Sequence, residues 1–315
     1  MNHDHRISSL FLPVGDGHEL YIEDCGPADA FPILFMHGGP GAGFSDRDKN
    51  FFDLTTQRVI FFDQRGAGRS KPFASLENNT TLHLVQDALR ILEHFELEKC
   101  MLFGGSWGST YALSFSVAHP EKVAGMVLRG IFLGTDAEND HFFRSGTCKT
   151  FPDAFENFLS LVPKDHQNQA LLHYAHQLAH ADLETQKKYA DAFVRFELSC
   201  AKLIYDPQAI EDILKEEDSL AFARIESHYL SNLCFLEDGY ILRNIHKIKD
   251  KPISMVHGRY DAICSAKVAF ELHKALPTSQ LYFTVAGHAS TDTETFERLK
   301  KEATRVYSLC SGTQK

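Results

Sequence analysis

Cys100-Met101-Leu102-Phe103-Gly104-Gly105-Ser106-Trp107-Gly108-Ser109-Thr110 is the stretch on which the reading of this chain turns. Residues 100–103 read as a buried strand, and residues 109–118 as a helix that stops before Pro120, since the residue ahead of a proline is pushed out of helical geometry. The turn between them fits G-x-S-x-G. A serine on so sharp a strand-to-helix turn is forced into a strained backbone conformation, and glycines two positions to either side remove the β-carbons that would clash. The turn lifts the hydroxyl clear of the sheet, while the helix start offers backbone N–H groups to a developing negative charge. The bland alternative is a glycine-rich turn with an incidental serine. Only partner residues elsewhere in the chain decide between the two.

Outward from this turn, the chain alternates apolar runs with helical stretches. Pro32-Ile33-Leu34-Phe35-Met36 ends in His37-Gly38-Gly39-Pro40-Gly41, and Val59-Ile60-Phe61-Phe62 ends in Asp63-Gln64-Arg65-Gly66. Further runs lie at 123–128, 252–256 and 281–285. Strands apolar on both faces belong inside a parallel sheet covered by helices. Residues 8–12 and 18–23 read as two strands joined by a turn at 15–17. Leu82, Val85, Leu89, Leu92 and Phe95 recur at helical steps, with Asn79 or Thr80 as N-cap. Helices are also expected at 266–276 and 295–307. From 134 to 243 the buried-strand runs vanish and helical patterns rich in Phe, Leu and charge replace them. The expectation is an α/β protein with a mostly parallel central sheet flanked by helices. Residues 1–133 and 244–315 form its core, and residues 134–243 an inserted helical cap.

A serine hydroxyl is a poor nucleophile until a base takes its proton, so a histidine and an orienting carboxylate are required. On the α/β-hydrolase fold, which this strand–serine–helix context resembles, the order along the chain is nucleophile, acid, histidine. Asp261 lies just past the 252–256 run, in His257-Gly258-Arg259-Tyr260-Asp261, and His288 just past the 281–285 run, in Ala286-Gly287-His288. Both fall at carboxyl ends of strands, where open α/β sheets place their sites. Either residue alone has an ordinary structural reading; three in order, each at a strand end, do not. Ser106, Asp261 and His288 are the expected catalytic residues. The backbone N–H groups of Gly39 and Trp107 are the expected oxyanion donors, and His37 is expected to be structural.

Composition narrows the alternatives. The net charge of −10 repels phosphate backbones and anionic lipids alike, against nucleic-acid or membrane-surface binding. The chain is long enough to bury roughly three quarters of its unfolded surface without staples. Its seven cysteines form no C-x-x-C pair and are odd in number, which suits reduced thiols and a cytoplasmic setting. The first residues do not read as a signal peptide, and the apolar stretch at 123–133, broken by Arg129, is too short to span a bilayer. No H-E-x-x-H or tight Cys/His cluster occurs among the seventeen histidines, so no metal is expected; His173, His176 and His180 read as a polar helix surface.

Three segments together closely resemble the proline iminopeptidases: His37-Gly38-Gly39-Pro40-Gly41, Asp63-Gln64-Arg65-Gly66-Ala67-Gly68-Arg69-Ser70 and Gly104-Gly105-Ser106-Trp107-Gly108-Ser109-Thr110. Leu128-Arg129-Gly130-Ile131-Phe132 and His257-Gly258-Arg259-Tyr260-Asp261 match as well. The resemblance implies a cytosolic serine exopeptidase without metal or organic cofactor, acting on short peptides with a free N-terminus and releasing their N-terminal proline. In the cap, it implies that Glu197, in Phe193-Val194-Arg195-Phe196-Glu197, and Glu226, in Ala223-Arg224-Ile225-Glu226-Ser227-His228-Tyr229, bind the substrate's amine. An amine stripped of water needs ionised acceptors in return. Two departures stand out: Phe193 and Phe196 replace tryptophans of the family pattern and would line the pocket, and Ala67 stands where the family often has Cys. Since a methylene discriminates by only about 1–3 kcal/mol, other small N-terminal residues stay open. A broad-specificity aminopeptidase, esterase or amidase on the same fold is the alternative, and a non-catalytic binding protein is disfavoured by the intact triad.

Overall fold

The structure, a computed structural model, describes residues 6–216 and 219–312. Its strands are β1 (Arg6–Gly15), β2 (His18–Cys25), β3 (Pro32–Met36), β4 (Arg58–Phe62), β5 (Cys100–Gly105), β6 (Val123–Arg129), β7 (Ile253–Gly258) and β8 (Gln280–Thr284). They form one sheet in the order β1-β2-β4-β3-β5-β6-β7-β8. β1 pairs antiparallel with β2, and β2 with β4. Every other neighbouring pair is parallel. The fold is that of an α/β-hydrolase, with β5 and its serine near the middle of the sheet.

Alternation along the strands sends successive side chains to opposite faces. Leu34, Ile60, Leu102, Leu128 and Met255 face one core together with α1 (Thr81–His94) and α2 (Trp107–Ala118). Phe35, Phe61, Phe103, Val127 and Val256 face a second. That second core is closed by Leu299, Ala303 and Val306 of the last helix, Thr293–Ser311.

Between β6 and β7 the chain makes no strand among its described residues. It forms α3 (Asp136–Asp140), α4 (Thr147–Thr150), α5 (Pro152–Leu159), α6 (Ala170–His180), α7 (Leu183–Ala201), α8 (Pro207–Glu216), α9 (Ser219–Ser231) and α10 (Tyr240–Asn244). α11 (Ala266–Ala275) and α12 (Thr293–Ser311) flank β8. α10 packs back onto α2. None of the described helices is long and apolar enough to cross a membrane.

Element ends differ from the sequence reading where side chains are already engaged. α2 begins at Trp107 rather than Ser109, because Ser106 itself occupies the N-cap position. Thr80 sits at the N-cap of α1 but its hydroxyl bonds His83 Nδ1 at 2.8 Å. The Asn79 amide instead donates to the carbonyls of Arg65 and Ser75, both at 2.9 Å. On α6, His176 and His180 are exposed with their rings 5.0 Å apart, while His173 reaches Tyr189 Oη at 3.0 Å.

The segment after β4 is a brace. Arg65 Nε and Nη2 donate to Asp87 Oδ2 and Oδ1 at 2.7 and 2.8 Å, with both side chains fully buried. Arg65 also donates to the Val14 and Asn78 carbonyls, tying β1 and the entry to α1 to the loop beneath the site. Burial pushes the Asp87 carboxyl up to about 6 even beside this guanidinium. Breaking a buried pair strands the remaining charge. Arg65→Met is therefore expected to lower unfolding free energy by about 3–5 kcal/mol, read from the urea midpoint.

Candidate active site

Ser106 has φ 57° and ψ −127°, the left-handed strain anticipated for the turn. A β-carbon on Gly104 would lie 2.2 Å from the Gly108 carbonyl oxygen, and one on Gly108 would lie 2.1 Å from that of Met36. The elbow therefore closes only with glycine at both positions. Ser106 N–H donates to the Arg129 carbonyl at 2.8 Å, which moors the turn to β6.

The structure brings the three expected side chains together. His288 Nε2 lies 2.9 Å from Ser106 Oγ, and His288 Nδ1 lies 2.8 Å from Asp261 Oδ2. With Asp261 accepting at Nδ1, that nitrogen carries the proton and Nε2 faces the hydroxyl with its lone pair. Asp261 Oδ1 accepts the N–H groups of Ile263 and Cys264 at 3.0 and 2.8 Å, so both oxygens are committed. Burial alone would raise this carboxyl. His288 and the other donors outweigh burial and hold it below the ordinary carboxylate range.

A buried network holds the elbow against the His37 loop. Trp107 Nε1 donates to Gln64 Oε1 at 2.9 Å, and Gln64 Nε2 donates to the His37 carbonyl at 2.9 Å. His37 Nε2 accepts from the Gln64 N–H at 2.9 Å, which leaves Nδ1 to donate to the Gly38 carbonyl at 2.8 Å. Burial pushes the His37 imidazole down and keeps it neutral, as this two-way bonding requires. His37 thus shapes the loop rather than facing Ser106. Gly38 and Gly39 line a cleft of about 300 Å³ together with Ser106, His288, Glu197 and Phe222. Trp107 is the first residue of α2, where backbone N–H groups have no partner inside the helix.

Two helices from the stretch between β6 and β7, α7 and α9, line this cleft through Glu197 and Phe222, and each contacts the sheet-bearing part of the chain. The Ala289 N–H donates to the Ala201 carbonyl at the end of α7 at 2.8 Å, and α7 carries Glu197. α9 carries Glu226, and its Tyr229 packs edge-on to Trp107 at 4.8 Å between ring centroids. Glu197 and Glu226 face each other, and each has an Oε2 that is buried without a hydrogen-bond partner. Burial raises both carboxyls, Glu226 the more strongly. Two carboxyls so close and so buried hold on to a proton between them. Such a pair, with an oxygen to spare on each side, is built to receive a cation.

Phe193 and Phe196 lie elsewhere than the sequence suggested. Both are buried in the aromatic core of the cap, with Phe196 stacked on Phe142 at 5.1 Å and Phe193 against Tyr174 at 5.9 Å. Neither is among the residues lining the cleft beside Ser106. Among the described residues, the one group able to present three metal-ligand atoms within 4.8 Å is Asp261, Cys264 and His288. Burial pushes the Cys264 thiol far up, so it is a protonated thiol, and the other two are committed to each other.

Two residues of the site were not singled out from sequence. Arg129, the last residue of β6, donates through Nη1 to the His288 carbonyl at 2.9 Å and lies 3.2 Å from His288 Nε2. Asp48 lines the same cleft from the loop after β3. The only advance signal was a charged residue closing an otherwise apolar strand, and that holds for Arg129 alone.

Residues 32–291 match the family described as alpha/beta hydrolase fold. The chain is 43% identical over 291 residues to a proline iminopeptidase of Arabidopsis thaliana, covering 90% of this chain and 76% of that one. It is 38% identical over 286 residues to a proline iminopeptidase of Neisseria gonorrhoeae, covering 90% and 91%. Among solved structures it is similar to a proline iminopeptidase-related protein of Thermus thermophilus. That likeness has a TM-score of 0.62 and 19% identity, covering 98% of this chain and 99% of the other. A putative aryl esterase of Burkholderia cenocepacia superposes with a TM-score of 0.67 at 19% identity, covering 96% and 99%. At such identities the structures speak for the fold, and the sequence relatives carry the finer assignment: the chain belongs to the proline iminopeptidase family of α/β-hydrolases.

Proposed function

We propose that this protein is a serine exopeptidase that releases an N-terminal proline from short peptides through an acyl-enzyme. The observation that carries the reading is a hydrogen-bonded serine–histidine–aspartate line beneath two buried, cation-seeking glutamates. Ser106 Oγ attacks the carbonyl carbon of the first residue while His288 Nε2 takes its proton. The N–H groups of Gly39 and Trp107 receive the oxyanion, each worth about 3 kcal/mol. His288 passes the proton to the departing nitrogen, the C–N bond breaks, and an ester to Ser106 remains. Water, deprotonated by the same imidazole, attacks that ester and frees the amino acid and the serine. Asp261 orients the imidazole and stabilises its charged form without taking the proton itself.

Glu197 and Glu226 hold the substrate's protonated amine, which fixes the first residue with its carbonyl over Ser106 and leaves no room for an amino acid ahead of it. No step calls for a metal or an organic cofactor. The strongly negative net charge and the mostly buried cysteines fit a cytosolic peptidase rather than a nucleic-acid or membrane binder.

Comparing prolyl amide with its N-acetylated form tests the amine requirement. The free amide is expected to react at least about 100-fold faster in kcat/KM, the cost of leaving a buried carboxylate unpaired being on the order of 3 kcal/mol. Equal rates would make the protein an amidase or esterase with an exopeptidase's scaffold. A panel of aminoacyl-naphthylamides then fixes how strictly proline is preferred.

A further inference from the structure

Asp48 opens the short helical turn Asp48–Phe51 that follows the Gly38–Gly39 loop, and it is half-buried in the wall of the catalytic cleft. One of its oxygens, Oδ2, is committed: it accepts the Ser45 N–H at 2.8 Å and the Ser45 hydroxyl at 3.1 Å. The other, Oδ1, has no hydrogen-bond partner among the described residues. Lys49 and Arg69 are engaged elsewhere. Lys49 is held by Glu23 at 2.8 Å and Asp46 at 2.6 Å, and Arg69 by Asp63 at 2.7 Å. Arg129 faces Asp48 across the cleft but spends its Nη1 on the His288 loop. Burial raises the Asp48 carboxyl, outweighing the Ser45 donors and the pull of Arg129.

The cleft therefore holds carboxylates from two different elements, Glu197 from the cap and Asp48 from the core. On the exopeptidase reading, the first residue's amine occupies the glutamate pair and its carbonyl lies at Ser106. The part of the peptide left to meet Asp48 is the residue on the far side of the scissile bond. The cleft that Asp48 lines is walled as well by Phe51, Phe222 and Leu299, with the hydroxyl-bearing Ser290 and Thr291. Apolar surface ending in an acidic acceptor suits a long aliphatic stem with a cationic head.

We propose that Asp48 is a specificity determinant for the residue after the scissile bond, selecting peptides in which that residue is lysine or arginine and disfavouring acidic ones. The proposal rests on the exopeptidase reading. It is tested with the full-length protein by measuring kcat/KM for prolyl-lysine amide, prolyl-glutamine amide and prolyl-glutamate amide, with prolyl-naphthylamide as a reference whose leaving group carries no charge.

In the wild type the lysine substrate is expected to exceed the glutamate one by roughly 10- to 100-fold, the range over which one partly desolvated charge discriminates. The ratio should shrink as salt rises from 0.05 to 0.5 M (experimental settings chosen on the order of the Debye screening range), a measurement that needs no variant. Asp48→Asn should bring the ratio close to one, and Asp48→Lys should invert it. An unchanged lysine-to-glutamate ratio in Asp48→Asn, with prolyl-naphthylamide still turned over, overturns the assignment of Asp48 and leaves the exopeptidase reading standing. A wild type that turns over none of the prolyl substrates overturns both.

Discussion

Ser106→Ala is expected to lower kcat on prolyl-naphthylamide by about 10⁶-fold, the scale on which removal of a triad serine acts in other Ser–His–Asp enzymes, while the protein folds normally. The size follows from the geometry. His288 Nε2 lies 2.9 Å from the hydroxyl and has its other nitrogen fixed by Asp261, so the first step depends on its activating that oxygen. Without the nucleophile the imidazole has only water to activate, and the oxyanion donors and the amine pocket supply what catalysis is left. Substrate affinity should survive, because the glutamates and the cleft walls are untouched; KM or a direct Kd checks that. Asp261→Asn should cost less, about 10⁴-fold, since an amide can donate to Nδ1 and so favours the wrong tautomer. The same serine should be labelled by a fluorophosphonate probe in the wild type and not in Ser106→Ala. Near-normal turnover in the serine variant would end the triad assignment.

Most of this site was legible before any coordinates because its parts are tied to backbone events that leave a mark in sequence. Gly104 and Gly108 are required by contacts of 2.2 and 2.1 Å that a β-carbon would make, so the elbow had to be written in glycine. Asp261 and His288 follow β7 and β8, whose apolar runs show where strands end at the rim of a parallel sheet. What stayed hidden depends on distant packing.

An aromatic pair spaced by three on a helix reads equally well as pocket wall or core. It took Phe142, Phe158 and Tyr174, from other cap elements, to draw Phe193 and Phe196 into the core. Asp48 sits in a charged stretch, Asp46-Arg47-Asp48-Lys49, that looks like an ordinary solvated turn. Only the packing shows Lys49 paired with Glu23 and Asp46, and Asp48 turned into the wall of the cleft. Asn79 reads as a helix cap because its amide suits that role locally, yet it is drawn away to carbonyls of the Arg65 loop.

The second large effect is expected at the amine pocket, and there the two glutamates should not behave alike. Burial raises both, Glu226 more strongly, so removing Glu197 should leave the harder carboxyl to ionise. Glu197→Gln removes one carboxyl and leaves Glu226 to ionise alone in a buried site when the substrate's ammonium arrives. Its expected cost is about 100- to 1,000-fold in kcat/KM for free prolyl amide, corresponding to roughly 3–4 kcal/mol for truncating one side of a buried charge pair. Glu226→Gln removes the carboxyl that burial raises more and leaves Glu197, the easier of the two to ionise, so its loss should be smaller.

Their pH profiles separate them further. In Glu197→Gln the remaining carboxyl titrates above the ordinary range, because burial favours its neutral form. Activity in that variant should therefore climb only at pH above the ordinary carboxylate range, as Glu226 becomes charged. In Glu226→Gln the surviving Glu197 loses a neighbour that competes for the proton and gains an amide that can donate to it, so the rise should come at lower pH. N-acetylated prolyl amide, which brings no ammonium, should be nearly indifferent to either change. If Glu197→Gln instead slowed the free and the acetylated amide equally, the glutamates would be supporting the fold of the cap rather than binding the amine.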